Sequence, residues 1–100
     1  MITPPKPLFS LGRNLATPGA IEALAASGQT PAEFLRRHIA GDWGDVCPED
    51  AKRNDEALVD GSRILSVYRT KKGVKVWIIT EAADDNGNRS ATTLLLPSDY

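Results

Sequence analysis

A chain of 100 residues with 41% hydrophobic and 25% charged residues has the size and composition of one globular domain, which excludes a disordered or low-complexity protein. Its single cysteine, Cys47, excludes an internal disulfide, and no segment reaches the roughly 20 apolar residues of a membrane span. The net charge of −1 is unevenly distributed, because residues 41–60 hold two basic and seven acidic side chains between two mildly basic flanks. The N-terminus lacks a signal-peptide pattern, so we expect a cytoplasmic protein.

The first 14 residues predict an extended arm, because their prolines fix φ and remove hydrogen-bond donors. Towards the end of the arm, the apolar residues Phe9, Leu11 and Leu15 alternate with small or polar ones. That alternation allows a short edge strand there.

Three helices are predicted after the arm. Thr17-Pro18 and Thr30-Pro31 each place a capping hydroxyl directly before a proline at the first helical position, and Glu33 would complete a capping box with Thr30. Pro48 begins a third helix with an acidic first turn, which the helix dipole favours. The helices are expected to end at three glycines, namely Gly28, Gly41 and Gly61.

The period of the apolar residues changes to two after Arg63, which predicts strands over Ile64–Tyr68, Val74–Thr80 and Ser90–Leu96. The second of these is apolar on both faces and is expected at the centre of a sheet. Gly73 is expected to take a positive φ in the turn before it. We therefore predict that residues 15–100 form one α+β domain, with two to three N-terminal helices packed on a C-terminal three-stranded antiparallel β-meander.

Few residues in this sequence could support catalysis or hold a metal. His38 is the only histidine and lies within a helical stripe, which is typical of a packing residue, and the acidic neighbours of Cys47 oppose formation of a thiolate. One cysteine and one histidine cannot form a structural zinc site, and no glycine-rich phosphate loop is present. The sequence therefore predicts no cofactor and no metal, and it favours a non-enzymatic protein.

Trp43 stands out in the connection between the second and third helices, where two Gly-Asp pairs flank it. Such a large aromatic either folds back over the core or anchors a partner protein. In the second case the acidic side chains around it would form a negative rim for a basic partner. The candidate partner-binding residues are Asp42, Trp43, Asp45, Glu49 and Asp50.

A second candidate surface lies on the first hairpin, where basic side chains occur near Tyr68 and Trp77. Basic and aromatic residues together are typical of nucleic-acid binding, although lysines also protect sheet edges from unwanted pairing. The candidate nucleic-acid-binding residues are Arg63, Arg69, Lys71, Lys72 and Lys75.

Several phrases of the sequence resemble a family of small uncharacterised bacterial proteins associated with plasmids and other mobile elements. The most specific are Gly41-Asp42-Trp43-Gly44-Asp45 and the closing Thr92-Thr93-Leu94-Leu95-Leu96-Pro97. The resemblance implies a bacterial, cytoplasmic accessory protein and supplies no activity.

Together with the absence of a catalytic motif, this resemblance gives our leading hypothesis for function. The chain would be a non-enzymatic accessory or regulatory protein of a mobile element that binds a protein partner, with a host-defence complex as one candidate. The alternative is a nucleic-acid-binding or toxin-like ribonuclease protein that uses the basic hairpin. Self-association through an exposed sheet edge is compatible with either hypothesis.

Overall fold

The computed structural model describes residues 7–100, so the predictions for residues 1–6 lie outside the described part of the chain. Four strands and three α-helices follow one another, with a short 3₁₀ helix near the end. In chain order they are β1 (Arg13–Ala16), α1 (Pro18–Ala26), α2 (Pro31–Ile39), α3 (Pro48–Asp60), β2 (Ile64–Arg69), β3 (Lys75–Thr80), β4 (Ala91–Leu95) and the 3₁₀ helix Pro97–Asp99. No helix among residues 7–100 is long and apolar enough to cross a membrane.

The four strands form one mixed sheet in the order β1-β4-β3-β2, so the prediction of a three-stranded antiparallel meander behind N-terminal helices is wrong. The arm supplies the extra strand ahead of the helices. Its Arg13 N–H donates to Ser90 C=O at 3.1 Å, and its Thr17 N–H donates to Leu94 C=O at 2.9 Å, parallel to β4. The alternation in the arm indicated a strand but not its partner, because β4 lies at the other end of the sequence. The expected boundary between residues 14 and 15 falls inside β1.

The helices begin at the predicted Thr-Pro steps, but the two steps are capped differently. The Thr17 hydroxyl accepts from the Ala20 N–H at 3.2 Å, as a capping side chain should. Thr30 makes no side-chain cap, and the Glu33 carboxylate instead accepts from the Gln29 amide at 2.6 Å. The predicted capping box is therefore absent, and Glu33 is bonded to Gln29 instead.

One face of the sheet packs against the helices. Strand residues of one parity, including Tyr68, Ile78 and Leu94, pack with Leu24 of α1 and Phe34 of α2 in a buried cluster. A second buried cluster joins the interhelical loop and α3 to the start of β2, through Trp43, Ala57 and Ile64. Residues of the other parity point away from α1 and α2, because side chains alternate along a strand.

Candidate functional site

The face of the sheet that points away from α1 and α2 is called the open face here. The strand register places two rows of side chains across it. One row consists of Leu65, Ile79, Thr93 and Leu15, and the other consists of Val67, Trp77 and Leu95. Apart from Ile79 and Leu95, these side chains are half-buried or exposed, so the open face is an accessible and largely apolar surface.

Two aromatic rings lie together on the open face. The Tyr100 ring packs edge-on against Trp77, with 5.7 Å between the ring centroids, and 69% of Tyr100 is exposed. The Arg63 guanidinium donates to the Tyr100 hydroxyl at 2.6 Å and lies 5.4 Å from the centre of its ring. Sequence reasoning singled out Trp77 and Arg63 but missed Tyr100, because nothing in the sequence shows that the last residue turns back across the sheet.

The five basic residues predicted for nucleic-acid binding fall into two groups along the hairpin. Arg63 lies before β2 beside the aromatic pair, whereas the other four lie at the turn end of the hairpin, where Arg69 and Lys75 face each other in register. All five side chains are exposed. Basic side chains therefore lie at both ends of the aromatic centre, with Asp45 beside Arg69 at one end.

Trp43 does not lie on the surface. Only 7% of it is exposed, and its indole N–H donates to the Asp55 carboxylate at 3.0 Å. The ring packs near His38 and Phe9, with centroids 6.0 and 6.2 Å away. It covers the core, so a partner surface in this region would lack an aromatic anchor.

The loop around Trp43 is bound to the outer edge of β2. The Val67 N–H donates to Trp43 C=O at 3.1 Å, and the Asp45 N–H donates to Val67 C=O at 2.7 Å. Gly44 adopts a φ of +72° between them, and a Cβ there would collide with the Val67 carbonyl oxygen. Only glycine fits this approach.

The predicted acidic rim is divided among different contacts. Asp42 forms an ion pair with Arg37 at 2.7 Å, and that hydrogen bond holds the pKa of the Asp42 carboxyl below its usual range. Asp45 lies 3.3 Å from Arg69, a residue of the basic hairpin. Glu49 and Asp50 lie in the first turn of α3. Of the five residues predicted to bind a partner, Trp43 is therefore buried, and Asp42 and Asp45 form ion pairs.

His38 lies at the centre of a buried chain of hydroxyl groups. Its Nδ1 is 2.5 Å from the Ser66 Oγ, and its Nε2 is 2.8 Å from the Thr80 Oγ1. Thr80 is in turn 2.7 Å from Thr92, whose hydroxyl donates to Leu11 C=O at 2.7 Å. Because Thr92 uses its only proton on that carbonyl, Thr80 donates to Thr92 and must accept from Nε2–H. In a neutral ring, Nδ1 then accepts from Ser66.

His38 is a neutral side chain in the core because of its burial. Burial, with a smaller contribution from the charge of Arg89, lowers the pKa of His38 to about 4. His38 and Ser66 are both 0% exposed, so the pair cannot meet a substrate from solvent. We assign the pair to the core, where each buried polar atom of the chain of hydroxyls finds a partner.

Arg89 is a second buried polar side chain with a structural contact set. Its guanidinium donates to Ser62 C=O at 2.7 Å, Glu81 C=O at 3.0 Å and Ala57 C=O at 3.0 Å. The last of these carbonyls belongs to the final turn of α3, where a cation is favoured by the helix dipole. Arg89 therefore joins the end of α3 to the strands.

An open cleft of about 280 Å³ lies between α3 and β2, lined by Asp50, Arg53, Asn54, Arg63 and Leu65. Asn54 accepts from the Leu65 N–H at 3.1 Å and donates to Leu65 C=O at 2.7 Å. The amide thus takes the place of a neighbouring strand along this edge. Arg63 connects the cleft to the open face.

Residues 7–100 contain no group of three or more side chains that could hold a metal ion, and Cys47 is exposed with a free thiol. Comparison with protein-family models, curated proteins and solved structures gives no match to this chain. The resemblance to proteins of mobile elements therefore stays a prediction.

Proposed function

We propose that this chain is a small binding protein that holds single-stranded nucleic acid on its open face. The observation that supports this most directly is the exposed Tyr100 ring beside Trp77, with basic side chains on both sides of the pair. Unpaired bases stack on aromatic rings displayed by a sheet, while nearby cations contact the phosphates. The hypothesis refines the nucleic-acid alternative drawn from the hairpin residues.

The charge of the open face supports the same ligand, although the whole chain has a net charge of −1. Its register positions bring Arg69 and Lys75 together at one end. Arg63 lies at the opposite end, directly before β2 and bonded to the Tyr100 hydroxyl. Local positive potential of this kind attracts a polyanion independently of net charge.

The test is a titration of fluorescently labelled oligo-dT and oligo-U with the full chain, followed by anisotropy at several salt concentrations. Binding should weaken as salt rises, because each phosphate contact releases counterions and contributes a slope of about −0.7 on a log–log plot for single strands. An unlabelled duplex should compete poorly, since its bases are not free to stack. Absence of binding at low salt would reject the proposal.

Matched variants locate the binding surface. Tyr100→Ala should weaken binding about fivefold to 150-fold, because stacking on one aromatic ring is worth about 1–3 kcal/mol. Lys75→Gln should weaken binding and reduce the salt slope. Arg36→Gln removes the same charge from an exposed position on α2 and should change neither. Equal effects of Lys75→Gln and Arg36→Gln would place the ligand elsewhere.

A second candidate function is the binding of a protein partner. Our leading hypothesis from the sequence placed this site on the Trp43 loop and α3, and with the indole buried the proposal now rests on α3. The exposed residues of this helix include Glu49, Asp55 and Glu56 together with Lys52 and Arg53, and Val59 is 91% exposed. Acidic side chains outnumber basic ones on the helix as a whole. An acidic helix with an apolar residue at its surface suits a basic protein segment. The mobile-element origin and the host-defence partner are parts of this candidate that rest on the resemblance alone.

A further inference from the structure

The two outer edges of the sheet, on β2 and on β1, differ in their hydrogen bonding. The outer edge of β2 is occupied, because Asn54 bonds both backbone groups of Leu65 while Trp43 and Asp45 bond those of Val67. In residues 7–100, no strand pairs with the outer edge of β1. An unoccupied edge is a template for another strand, and proteins commonly block it.

The register of β1 shows which of its backbone groups are not bonded to β4. Arg13 and Thr17 donate their N–H groups to β4, and bonds in a parallel ladder alternate along the strand. Leu15 therefore bonds to β4 as well, whereas the N–H and C=O groups of Asn14 and Ala16 point outward. These four groups have the spacing that an antiparallel strand needs.

From this edge we infer that the chain forms a twofold symmetric dimer in which β1 pairs antiparallel with β1 of a second copy. Centring the pairing on Leu15 sets Asn14 opposite the second copy's Ala16, and each such pair exchanges two hydrogen bonds. The two sheets then join into one sheet of eight strands. Leu15, 41% exposed in one chain, meets its own symmetry mate on the open face.

Charge complementarity favours a second copy over other occupants. In this register Arg13 lies opposite Thr17 of the other copy, on the same face as Leu15. The Thr17 hydroxyl donates to the Asp99 carboxylate at 2.6 Å. Asp99 therefore places a negative charge beside Thr17, opposite Arg13 of the other copy. Symmetry repeats the contact, and the edge is thus complementary to itself in backbone groups, apolar contact and charge.

The inference is tested by sedimentation equilibrium of the full chain without nucleic acid, so its outcome is independent of the proposed function. We expect a mass twice the 10.8 kDa of the chain. Leu15→Lys should raise the dimer dissociation constant about tenfold or more, because it sets two like charges across the symmetry axis. Val59→Lys makes the same change on α3 and should leave the constant unchanged. A wild-type chain that stays monomeric up to its solubility limit would overturn the inference.

A mixing experiment tests the register itself. Arg13→Glu and Asp99→Lys should each weaken self-association, since either variant sets like charges opposite each other. Mixed together, the two variants should form a heterodimer. On one side of its symmetry axis the new carboxylate at position 13 meets the new ammonium at position 99. On the other side the native Arg13 and Asp99 meet. Circular dichroism of each variant alone verifies that it folds. A heterodimer no stronger than either homodimer would exclude this register.

Discussion

At the scale of single residues, His38 decides how the core responds to acid. The neutral ring connects Ser66 to Thr80, and its protonation would force Ser66 to turn its hydroxyl proton away from Nδ1. A buried charge would then lie between the sheet and the helices, bonded only to hydroxyl groups. The stability of the core therefore depends on His38 remaining neutral.

We predict that stability falls as the pH is lowered from 6.5 to about 4. The folded chain has a His38 pKa of about 4 against an ordinary value of 6.5, so the unfolded state takes up the proton first. The stabilisation is complete above pH 6.5, and roughly 3 kcal/mol of it is lost by pH 4. Urea unfolding at a series of pH values measures this loss.

His38→Gln is the control for this measurement, because glutamine does not titrate and the carboxylates of the chain are the same in both proteins. The difference in unfolding free energy between wild type and variant should shrink as the pH falls. A constant difference between pH 7 and pH 4 would contradict the assignment of a buried neutral ring.

Residue types alone did not predict this network. The sequence indicated that His38 packs inside a helical stripe, which agrees with its complete burial. Its partners Ser66, Thr80 and Thr92 come from three different strands, and hydroxyl residues in strands are common without such contacts. Trp43 admitted two interpretations from the sequence, and only the fold shows that α3 supplies Asp55 to its indole N–H.

At the scale of elements, the loop around Trp43 behaves as an additional short strand on the edge of β2. We predict that Gly44→Ala destabilises the fold by more than about 3 kcal/mol, because its Cβ would collide with the Val67 carbonyl in addition to the strain of a positive φ. Gly73→Ala is the matched control. Gly73 has a φ of +84° and open space around it, so its substitution should cost about 1 kcal/mol. Urea unfolding of both variants gives the comparison.

Equal losses for the two glycine variants would mean that the loop is not bound to β2 as described. A large loss for Gly44→Ala alone would also explain why the loop contains glycine at this place. Trp43 then depends on Gly44 for its burial, since the backbone bonds on either side hold the indole over the core.

Most elements could be predicted, because their signals are local. The Thr-Pro steps, the acidic first turn of α3 and the positive φ of Gly73 each depend on a few neighbouring residues, and the structure agrees with them. The apolar pattern of the second predicted strand correctly placed it, as β3, inside the sheet. The capping box of α2 failed because Gln29 competes for Glu33, which a spacing rule does not include.

At the scale of the whole molecule, α3 has an excess of acidic side chains despite Lys52 and Arg53, whereas basic side chains lie at the ends of the open face. We predict that an oligolysine peptide binds the protein and that Glu49→Gln with Glu56→Gln weakens this binding, because both carboxylates are exposed on that helix. Calorimetric titration measures the effect. The same double variant should bind oligo-dT no less tightly than wild type.

Replacing two acidic residues elsewhere controls for net charge. Asp84→Asn with Asp85→Asn removes the same charge from the exposed turn before β4 and should leave oligolysine binding nearly unchanged. If both double variants weakened the binding equally, the peptide would be responding to total charge and α3 would not be a specific surface.

The arrangement of the whole sheet was beyond local reasoning. β1 pairs with β4, although the two strands are far apart in the sequence. An alternating apolar pattern indicates a strand but does not indicate which strand lies next to it. The open face could be predicted only in part, since the hairpin residues are local while Tyr100 reaches Trp77 through the final turn of the fold.

The parallel pairing of β1 with β4 also determines the order of events during synthesis. β1 is made before the three helices and the hairpin, whereas β4, the strand that it must join, follows all of them. Until β4 is made, β1 lacks this neighbour, and closing a loop over all the elements between the two strands slows their pairing. A nascent chain that still lacks β4 would therefore leave β1 and one edge of β3 unpaired, so quality control can recognise an incomplete product by these strands.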